Sequence, residues 1–231
     1  FMKHIQTMLS GFLAGILISL GGFVFLYLKC VGTVGALETA IGGFMFSFGL
    51  LMICAFSLNL YTGKIGFCIG KDKYYFLDLL EMLVGNILGC IIFGYLLSLT
   101  RVYDIQGTTM TFEEVVKSVC TTKANDPWYS LLVLSFGCGI LVYLAVRIFK
   151  SEHHAFIRVL GLMFAVALFV IVGFEHVIAD VFYFALAGMC SWRIVLNLFI
   201  ILIGNSLGSI FFHSVLSLLE KKNIDKESTN M

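Results

Sequence analysis

The sequence predicts an all-α membrane protein with six transmembrane helices. Of its 231 residues, 60% are hydrophobic and only 13% are charged, whereas soluble domains carry roughly a quarter charged residues. A helix needs about 20 apolar residues to cross the hydrocarbon core. Five uncharged stretches meet or approach that length: residues 5–28, 39–63, 82–100, 127–146 and 194–219. A sixth stretch, residues 159–192, is long enough but contains Glu175, His176 and Asp180.

The apolar stretches are continuous, which favours helices over the alternating segments of a transmembrane barrel. Pro127, the single proline, opens the fourth span, where its missing N–H costs little. The first span is longer than a signal-peptide core and no small-residue cleavage pattern follows it, so we expect it in the mature protein. Phe1 precedes Met2, and we therefore expect a short native N-terminal segment to be missing.

The distribution of Lys and Arg predicts that both termini are cytoplasmic. With six spans the termini share one side, and that side carries ten basic residues: Lys3, Lys64, Lys71, Lys73, Arg147, Lys150, Arg158, Lys221, Lys222 and Lys226. The other side carries five: Lys29, Arg101, Lys117, Lys123 and Arg193. Basic loops stay in the cytoplasm, so the acidic loop 104–126 is expected outside. We expect residues 1–220 to form one channel domain and residues 221–231 a polar cytoplasmic tail.

Two pairs of similar strings indicate an internal duplication. Residues 85–89 (Gly-Asn-Ile-Leu-Gly) match residues 204–208 (Gly-Asn-Ser-Leu-Gly), and residues 14–17 (Ala-Gly-Ile-Leu) match residues 138–141 (Cys-Gly-Ile-Leu). Each half then holds three spans, so the second half starts on the opposite face of the bilayer. The sequence thus predicts inverted repeats, about residues 1–100 and 124–220. Such folds place their site near the midplane, where corresponding helices are broken.

Spans two and five correspond in this scheme, and both contain interruptions. Residues 58–66 include an asparagine, a threonine, two glycines and a lysine, and residues 173–176 read Gly-Phe-Glu-His. Unwound backbone at membrane depth must be buried in protein or line a cavity, because lipid cannot satisfy its N–H and C=O groups. The alternative that span two ends at Ser57 and a cytoplasmic loop begins stays open.

Glu175 and His176 are the strongest candidates for a functional role. They follow sixteen uncharged residues after Arg158, a depth at which ionisable groups usually line a polar pathway. Histidine can exchange a proton near neutral pH. Glu175 more plausibly orients its neighbours, pairs with His176 or caps the second half-helix. Thr62 supplies a hydroxyl at the other interruption, able both to donate and to accept a hydrogen bond.

Several functional classes are not supported by any motif. The sequence contains no phosphate-binding loop, HExxH, catalytic triad or metal-ligand spacing, and its seven cysteines are scattered without a CxxC pair. We therefore expect neither an enzyme nor a cofactor, metal or nucleic-acid partner. Two alternatives to an ion channel remain: a channel for neutral solutes such as water, ammonia or glycerol, and a membrane redox subunit with His176 and His213 as haem ligands.

Three segments resemble the formate/nitrite transporter family. Residues 60–63 (Leu-Tyr-Thr-Gly) resemble its Leu-Phe-Thr loop, and residues 174–180 (Phe-Glu-His-Val-Ile-Ala-Asp) resemble its Phe-Glu-His-x-x-Ala-Asn signature. Asn197, followed by residues 204–205 (Gly-Asn), resembles its sixth helix. The similarity covers about residues 3–219. It implies an aquaporin-like protomer within a homopentamer in a bacterial inner membrane, each protomer having its own pore.

The resemblance also implies roles for individual residues. Thr62 and His176 would face each other at the pore centre, between two apolar slits. The slits would comprise Leu50, Leu60 and Tyr61 on the cytoplasmic side, and Phe46, Val142, Phe169 and Val172 on the outer side. Lys3 and Lys123 resemble vestibule lysines that attract the anion, while Glu175 and Asn197 would support the centre.

Three positions depart from the family pattern. Tyr61 replaces a phenylalanine, Asp180 replaces an asparagine, and Gly139 stands where formate channels carry a pore asparagine. These departures resemble the hydrosulfide branch of the family. We therefore expect a channel for small weak-acid anions, with hydrosulfide first and formate or nitrite next. The sequence does not distinguish passive from proton-coupled transport, nor does it reveal gating by the N-terminal segment or the protonation state of His176.

Overall fold

The computed structural model describes residues 2–32 and 35–229, with side chains as far as residue 221. In these ranges the chain is helical, and the prediction of an all-α protein is confirmed. The helices are α1 (Met2–Val31), α2 (Ala36–Ala55), α3 (Tyr61–Lys64), α4 (Lys73–Ser98), α5 (Phe112–Asn125), α6 (Trp128–Ser151), α7 (Ala155–Val172), α8 (Val177–Leu186) and α9 (Trp192–Thr229). A 3-10 turn, Ile65–Phe67, follows α3.

Six of these helices are long and apolar enough to cross a membrane, which confirms the predicted number of spans. They are Met2–Val31, Ala36–Ala55, Lys73–Ser98, Trp128–Ser151, Ala155–Val172 and the part of α9 that covers Trp192–Lys221. Many large apolar side chains on them are exposed, as expected for surfaces that face lipid or other membrane protein. Helix α9 continues beyond its candidate span, which ends at Lys221, as far as Thr229; residues 230–231 lie outside the described residues.

The helices pack as two similar groups. Helix α1 packs against α4 and α2, while α6 packs against α9 and α7. Contacts of α2 with α7 and of α4 with α8 join the groups. Glycines permit the closest approaches: a Cβ on Gly15 would meet the backbone of Asn86, and a Cβ on Gly139 would meet the backbone of Asn205. Small residues at such crossings let membrane helices pack by van der Waals contact, the main attraction between helices in lipid.

Helices α2 and α7 end in the same hydrogen-bond pattern. At α7 the N–H of Phe174 donates to the carbonyl of Phe169, and Gly173 has the left-handed φ of 78°. At α2 the N–H of Leu58 donates to the carbonyl of Ile53, and Ser57 has a φ of 54°. Both ends are Schellman motifs, in which a left-handed residue terminates the helix and satisfies its last carbonyls. The chain then continues in short extended links before α3 and α8.

Two buried asparagines hold these links. Asn86 on α4 donates through Nδ2 to the carbonyls of Gly11 and Asn59 and accepts at Oδ1 from the N–H of Tyr61.

Asn205 on α9 makes the corresponding bonds. It donates to the carbonyls of Ser135 and Glu175 and accepts from the N–H of Val177. Each of these six bonds is 2.8 or 2.9 Å long, and both asparagines are fully buried. The carboxamides therefore replace the water that the unwound backbone lacks.

Helix α5 was not predicted, since residues 104–126 were interpreted as an acidic loop. The structure places a helix at Phe112–Asn125 that begins with a capping box, in which Thr111 and Glu114 satisfy each other's backbone N–H groups. The signal was present as Thr-Phe-Glu-Glu at residues 111–114, the Thr-x-x-Glu pattern of a helix start. This helix matters because it carries Lys123.

We predict that Gly139→Ala destabilises the protein by about 1–3 kcal/mol, the usual cost of overpacking a tight contact. The new methyl group would meet the backbone of Asn205, which cannot rotate away. Thermal unfolding in detergent measures the change. Val133→Ala on the exposed face of the same helix is the control, and it should change stability far less. An unfolding temperature of Gly139→Ala equal to that of the parent would contradict the packing role.

Candidate functional site

Thr62 and His176 meet at the centre of the protein. Thr62 lies on α3, immediately after the first link, and His176 is the residue that precedes α8. The Oγ1 of Thr62 and the Nε2 of His176 are 2.8 Å apart, and the two residues are 1% and 3% exposed. The structure thus brings the two proposed central residues into direct hydrogen-bond contact, with one contributed by each helix interruption.

The second ring nitrogen of His176 fixes the direction of this bond. The backbone N–H of Ala179 donates to Nδ1 over 3.2 Å, so that His176 caps the N-terminus of α8. Because Nδ1 accepts, the proton of the neutral imidazole is assigned to Nε2, which donates to the Oγ1 of Thr62. The hydroxyl hydrogen of Thr62 then remains able to donate to a third group. His176, rather than Glu175, is the capping residue.

One cavity lies on the His176 side, and we call it the Lys123 cavity. Its volume is about 270 Å³, and Phe46, Phe169, His176, Lys123, Glu175 and Asp180 are among its lining residues. The rings of Phe46 and Phe169 meet edge to face at 5.8 Å, and Phe169 stacks on the imidazole of His176 at the same centroid distance. Two of the predicted slit residues therefore line this cavity next to the His176 ring.

A second cavity lies on the other side of the Thr62–His176 contact, and we call it the Lys64 cavity. It has a volume of about 370 Å³, and its lining includes the predicted slit residues Leu50 and Leu60 together with Gly63, the neighbour of Thr62. Leu50 and Leu60 are each 2% exposed. Counting spans places this cavity on the side of α1's first residue and the Lys123 cavity on the opposite side.

Three of the predicted slit residues are not at either cavity. Tyr61 donates or accepts a hydrogen bond with the hydroxyl of Ser206, 2.9 Å away, and lines neither cavity. Val142 is buried in the core and Val172 is 53% exposed at the end of α7. Val170 and Ile171 line the Lys123 cavity in the place expected for Val172.

Gly139 is a packing residue in this structure, and its role as a pore position stays a prediction. It lies where α6 crosses α9, its carbonyl accepts from the hydroxyl of Ser209, and it lines neither cavity. Because a single Cβ would already meet the backbone of Asn205, an asparagine side chain has no room here. The corresponding contact in the other half is that of Gly15 with Asn86.

Lys123 lines the Lys123 cavity, but its ammonium group is paired with two carboxylates. Its Nζ lies 2.6 Å from a carboxylate oxygen of Glu175 and 2.9 Å from one of Asp180. Burial lowers the pKa of Lys123, but the two carboxylates outweigh burial and raise it overall, so the ammonium stays charged at neutral pH. The second oxygen of Asp180, Oδ2, is buried and has no hydrogen-bond partner among the described residues. The cluster therefore holds two acidic groups against one cation.

Asn197 positions this cluster from α9. Its side-chain amide donates to the carbonyls of Lys123 and Ala124 in the last turn of α5. Those carbonyls lack partners within their own helix, so the bonds fix the end of α5 and the direction of Lys123.

Lys3, the other predicted vestibule lysine, lies elsewhere. Its Nζ pairs with Asp78 at 3.1 Å, its side chain is 66% exposed, and it lines neither cavity. Three cations that were not predicted as site residues line the Lys64 cavity: Lys64, Lys150 and Arg158. Their only sequence signal is their position at the ends of spans on one side, which does not distinguish a cavity from an open surface.

The structure does not support a haem site between His176 and His213. His213 lies against Tyr143, with 3.0 Å between its Nδ1 and the phenolic oxygen, and against the ring of Phe67. His176 is bonded through both ring nitrogens to other residues. Among the described residues, no group of three or more His, Cys, Asp or Glu side chains is arranged to hold a metal ion.

Comparison with known proteins finds similar transporters and channels. The chain is 26% identical to the uncharacterized transporter YrhG of Bacillus subtilis (strain 168), over 98% of this chain and 89% of that protein. It is also 26% identical to the formate channel BtFdhC of Bacillus thuringiensis, over 89% of this chain and 83% of that one. A solved structure described as a pentameric formate channel with formate bound superposes with a TM-score of 0.79 at 22% identity, covering 96% of this chain and 97% of that chain. At that identity the superposition shows the fold alone.

The family comparison is more specific. A family model described as formate/nitrite transporter matches residues 2–219, which include every helix interruption and both cavities. The chain belongs to the formate/nitrite transporter family.

Proposed function

We propose that this chain is a membrane channel for small monovalent anions that are conjugate bases of weak acids. The observation that carries the proposal is the Thr62–His176 hydrogen bond, which lies between two cavities and is flanked by apolar side chains. The names of relatives support the substrate class, since one is called a formate channel and another, from Plasmodium falciparum, a formate-nitrite transporter.

The apolar flanks determine the mechanism. An anion that passes Phe46 and Phe169, or Leu50 and Leu60, must lose most of its hydration, which costs several kcal/mol even in a relaxed protein. A proton accepted near His176 converts the anion to its neutral acid and removes that cost. In the proposed cycle the proton comes from solution through His176 and the hydroxyl of Thr62. One anion and one proton enter together, and both are released on the other side.

This mechanism selects substrates by their chemistry. Hydrosulfide, formate and nitrite all have small neutral conjugate acids, whereas chloride does not at physiological pH. Hydrosulfide remains our first candidate because the departures at Tyr61 and Asp180 resemble the hydrosulfide branch of the family. The packing role of Gly139 removes one argument for that order, because this glycine leaves no room for a pore asparagine. The order of hydrosulfide, formate and nitrite as substrates is therefore decided by their measured fluxes.

We further propose an inverted 3+3 repeat with broken second and fifth spans, a single channel domain over residues 1–220, and a homopentamer with both termini in the bacterial cytoplasm. The matched bonds of Asn86 and Asn205 and the matched ends of α2 and α7 support the repeat. The similar solved structure described as pentameric and the many exposed apolar side chains support the oligomer. Cross-linking of the purified protein counts the subunits.

One observation favours a second candidate, a channel for neutral solutes. The charge of Lys123 is already matched by Glu175 and Asp180, so the Lys123 cavity has no excess positive charge to attract an anion. The substitution of Asp180 described below separates the candidates, because the uptake of a neutral solute should not respond to it.

The proposed function is tested in proteoliposomes. Hydrosulfide, formate, nitrite and chloride uptake is compared with uptake by empty vesicles at an acidic and a neutral pH. We expect weak-acid anions to enter faster than chloride, and faster at acidic pH. If all three weak-acid anions enter no faster than in empty vesicles, the proposed function is wrong.

We predict that His176→Asn lowers weak-acid anion flux by roughly 100-fold at acidic pH, the lower end of what a positioned proton-transfer group contributes. Asparagine can still accept the N–H of Ala179 and cap α8, so the fold should survive while the proton carrier is lost. Formate uptake across a pH series measures the effect. Thr62→Ser, which keeps the hydroxyl, is the control and should retain most of the flux. A pH profile of His176→Asn that matches the parent would exclude the proton relay.

We predict that Asp180→Asn increases anion uptake from the side of the Lys123 cavity by roughly fivefold at low salt. The substitution removes an acidic group whose oxygen lies 2.9 Å from the Nζ of Lys123, and about 1 kcal/mol is the interaction of one unit charge with an anion about 4 Å away in water. High salt should diminish the difference, because mobile ions screen the charge. Asp104→Asn in the outer loop is the charge-matched control. Anion uptake that ignores Asp180→Asn would instead favour the neutral-solute channel.

A further inference from the structure

The Lys64 cavity contains a concentration of positive charge that the proposed permeation mechanism does not use. Lys64, Lys150 and Arg158 all line it, and no aspartate or glutamate is among its lining residues. They come from three separate elements, α3, α6 and α7, so the cluster exists only in the folded protein. Lys64 and Lys150 are close enough for their charges to repel each other.

Neutral groups hold all three cations. The Nζ of Lys64 donates to the side-chain oxygen of Asn59, the Nζ of Lys150 lies 4.7 Å above the ring of Phe67, and the guanidinium of Arg158 lies 4.5 Å above the ring of Phe149. In the part of the chain that the structure describes, no carboxylate lies within 4 Å of any of them.

Four other cations of the protein have acidic partners. Lys3 pairs with Asp78, Lys117 with Glu113, and Arg147 with Glu220, while Lys123 has two carboxylates. Asp78 also attracts Lys64 at longer range, but its carboxylate is bound to Lys3. These four cations are each paired, whereas the Lys64 cavity gathers three cations with no carboxylate among its lining residues.

Arg158 provides a second observation. Its Nε is buried and has no hydrogen-bond partner among the described residues. A buried N–H of a charged group without an acceptor is costly, and nearly all such groups in folded proteins have a partner. Guanidinium groups bind the oxygens of phosphate-type anions through two parallel N–H donors, and lysines add point charges.

We propose that the Lys64 cavity is a binding site for a multivalent phosphate-type oxyanion. Three cations exceed what one monovalent anion can neutralise, and a volume of about 370 Å³ is ample for such a group. Because Leu50 and Leu60 line the same cavity, a bound dianion cannot shed its hydration and proceed, and it obstructs the path of smaller anions. The proposed phosphate site in the Lys64 cavity would exist whichever small anion permeates the channel.

Binding is measured on the full-length protein in lipid-free detergent by titration with inorganic phosphate at constant ionic strength. We expect saturable binding with one site per chain. Arg158→Gln and Lys150→Gln should each weaken it by roughly tenfold, as expected when a charged hydrogen-bond donor or a close cation is lost. Lys71→Gln, an exposed charge on the same side that does not line the cavity, is the matched control and should leave affinity unchanged.

Arg158→Lys separates loss of the site from loss of the fold. It keeps the charge, so phosphate affinity should recover in part, and the elution volume on gel filtration shows whether each variant retains its assembly. Phosphate binding that is not saturable, or that Arg158→Gln and Lys150→Gln leave intact, would overturn the proposal. These outcomes are independent of anion flux, so the proposed function and this site can fail separately.

The phosphate group has two possible sources, a free anion or the headgroup of an anionic lipid. The titration is therefore repeated in nanodiscs of phosphatidylcholine with and without phosphatidylglycerol. Phosphate binding that persists in both identifies a free anion as the occupant. Phosphate binding that is lost only in the nanodiscs containing phosphatidylglycerol identifies the lipid headgroup as the occupant. Either result supports the site.

Discussion

The hydrogen bonds of Asn86 and Asn205 are the constraint on which the centre of this protein depends. The links from α2 to α3 and from α7 to α8 carry backbone N–H and C=O groups outside regular helix, and lipid would offer such groups no partner. A carboxamide is suited to this task, since it presents a donor and an acceptor in one plane and carries no net charge. With the two links fixed in this way, Thr62 and His176 are brought within 2.8 Å of each other from distant parts of the chain.

Much of this architecture could be predicted from the sequence because the membrane imposes strong rules. The number of spans follows from uncharged stretches, and the candidate centre follows from ionisable residues at depth. The family resemblance supplied the pairing of His176 with Thr62, which no local pattern contains. The role of Gly139 could not be recognised, because a packing glycine and a glycine that lines a pore are identical in sequence. Their difference lies in the distance to α9, a property of the fold.

The electrostatic features were the least predictable. Lys123 was expected to attract anions, yet two carboxylates from another part of the chain surround it. The acidic environment of Lys123 depends on α5, which was not recognised as a helix. Conversely, Lys64, Lys150 and Arg158 looked like ordinary loop charges that determine orientation, and only the packing of three elements places them around one cavity. Counting charges along the chain cannot distinguish a cation that has a carboxylate partner in the fold from one that has none.

The two Schellman ends described for α2 and α7 are alike in hydrogen bonding but unequal in energy. Gly173 adopts its left-handed conformation without penalty, whereas Ser57 occupies the same region with a side chain, at a cost of about 1–2 kcal/mol. A scaffold that is symmetric in its connections is therefore asymmetric in its strain. Relief of this strain would favour a rearrangement at the end of α2 over one at the end of α7, the helix that leads to His176.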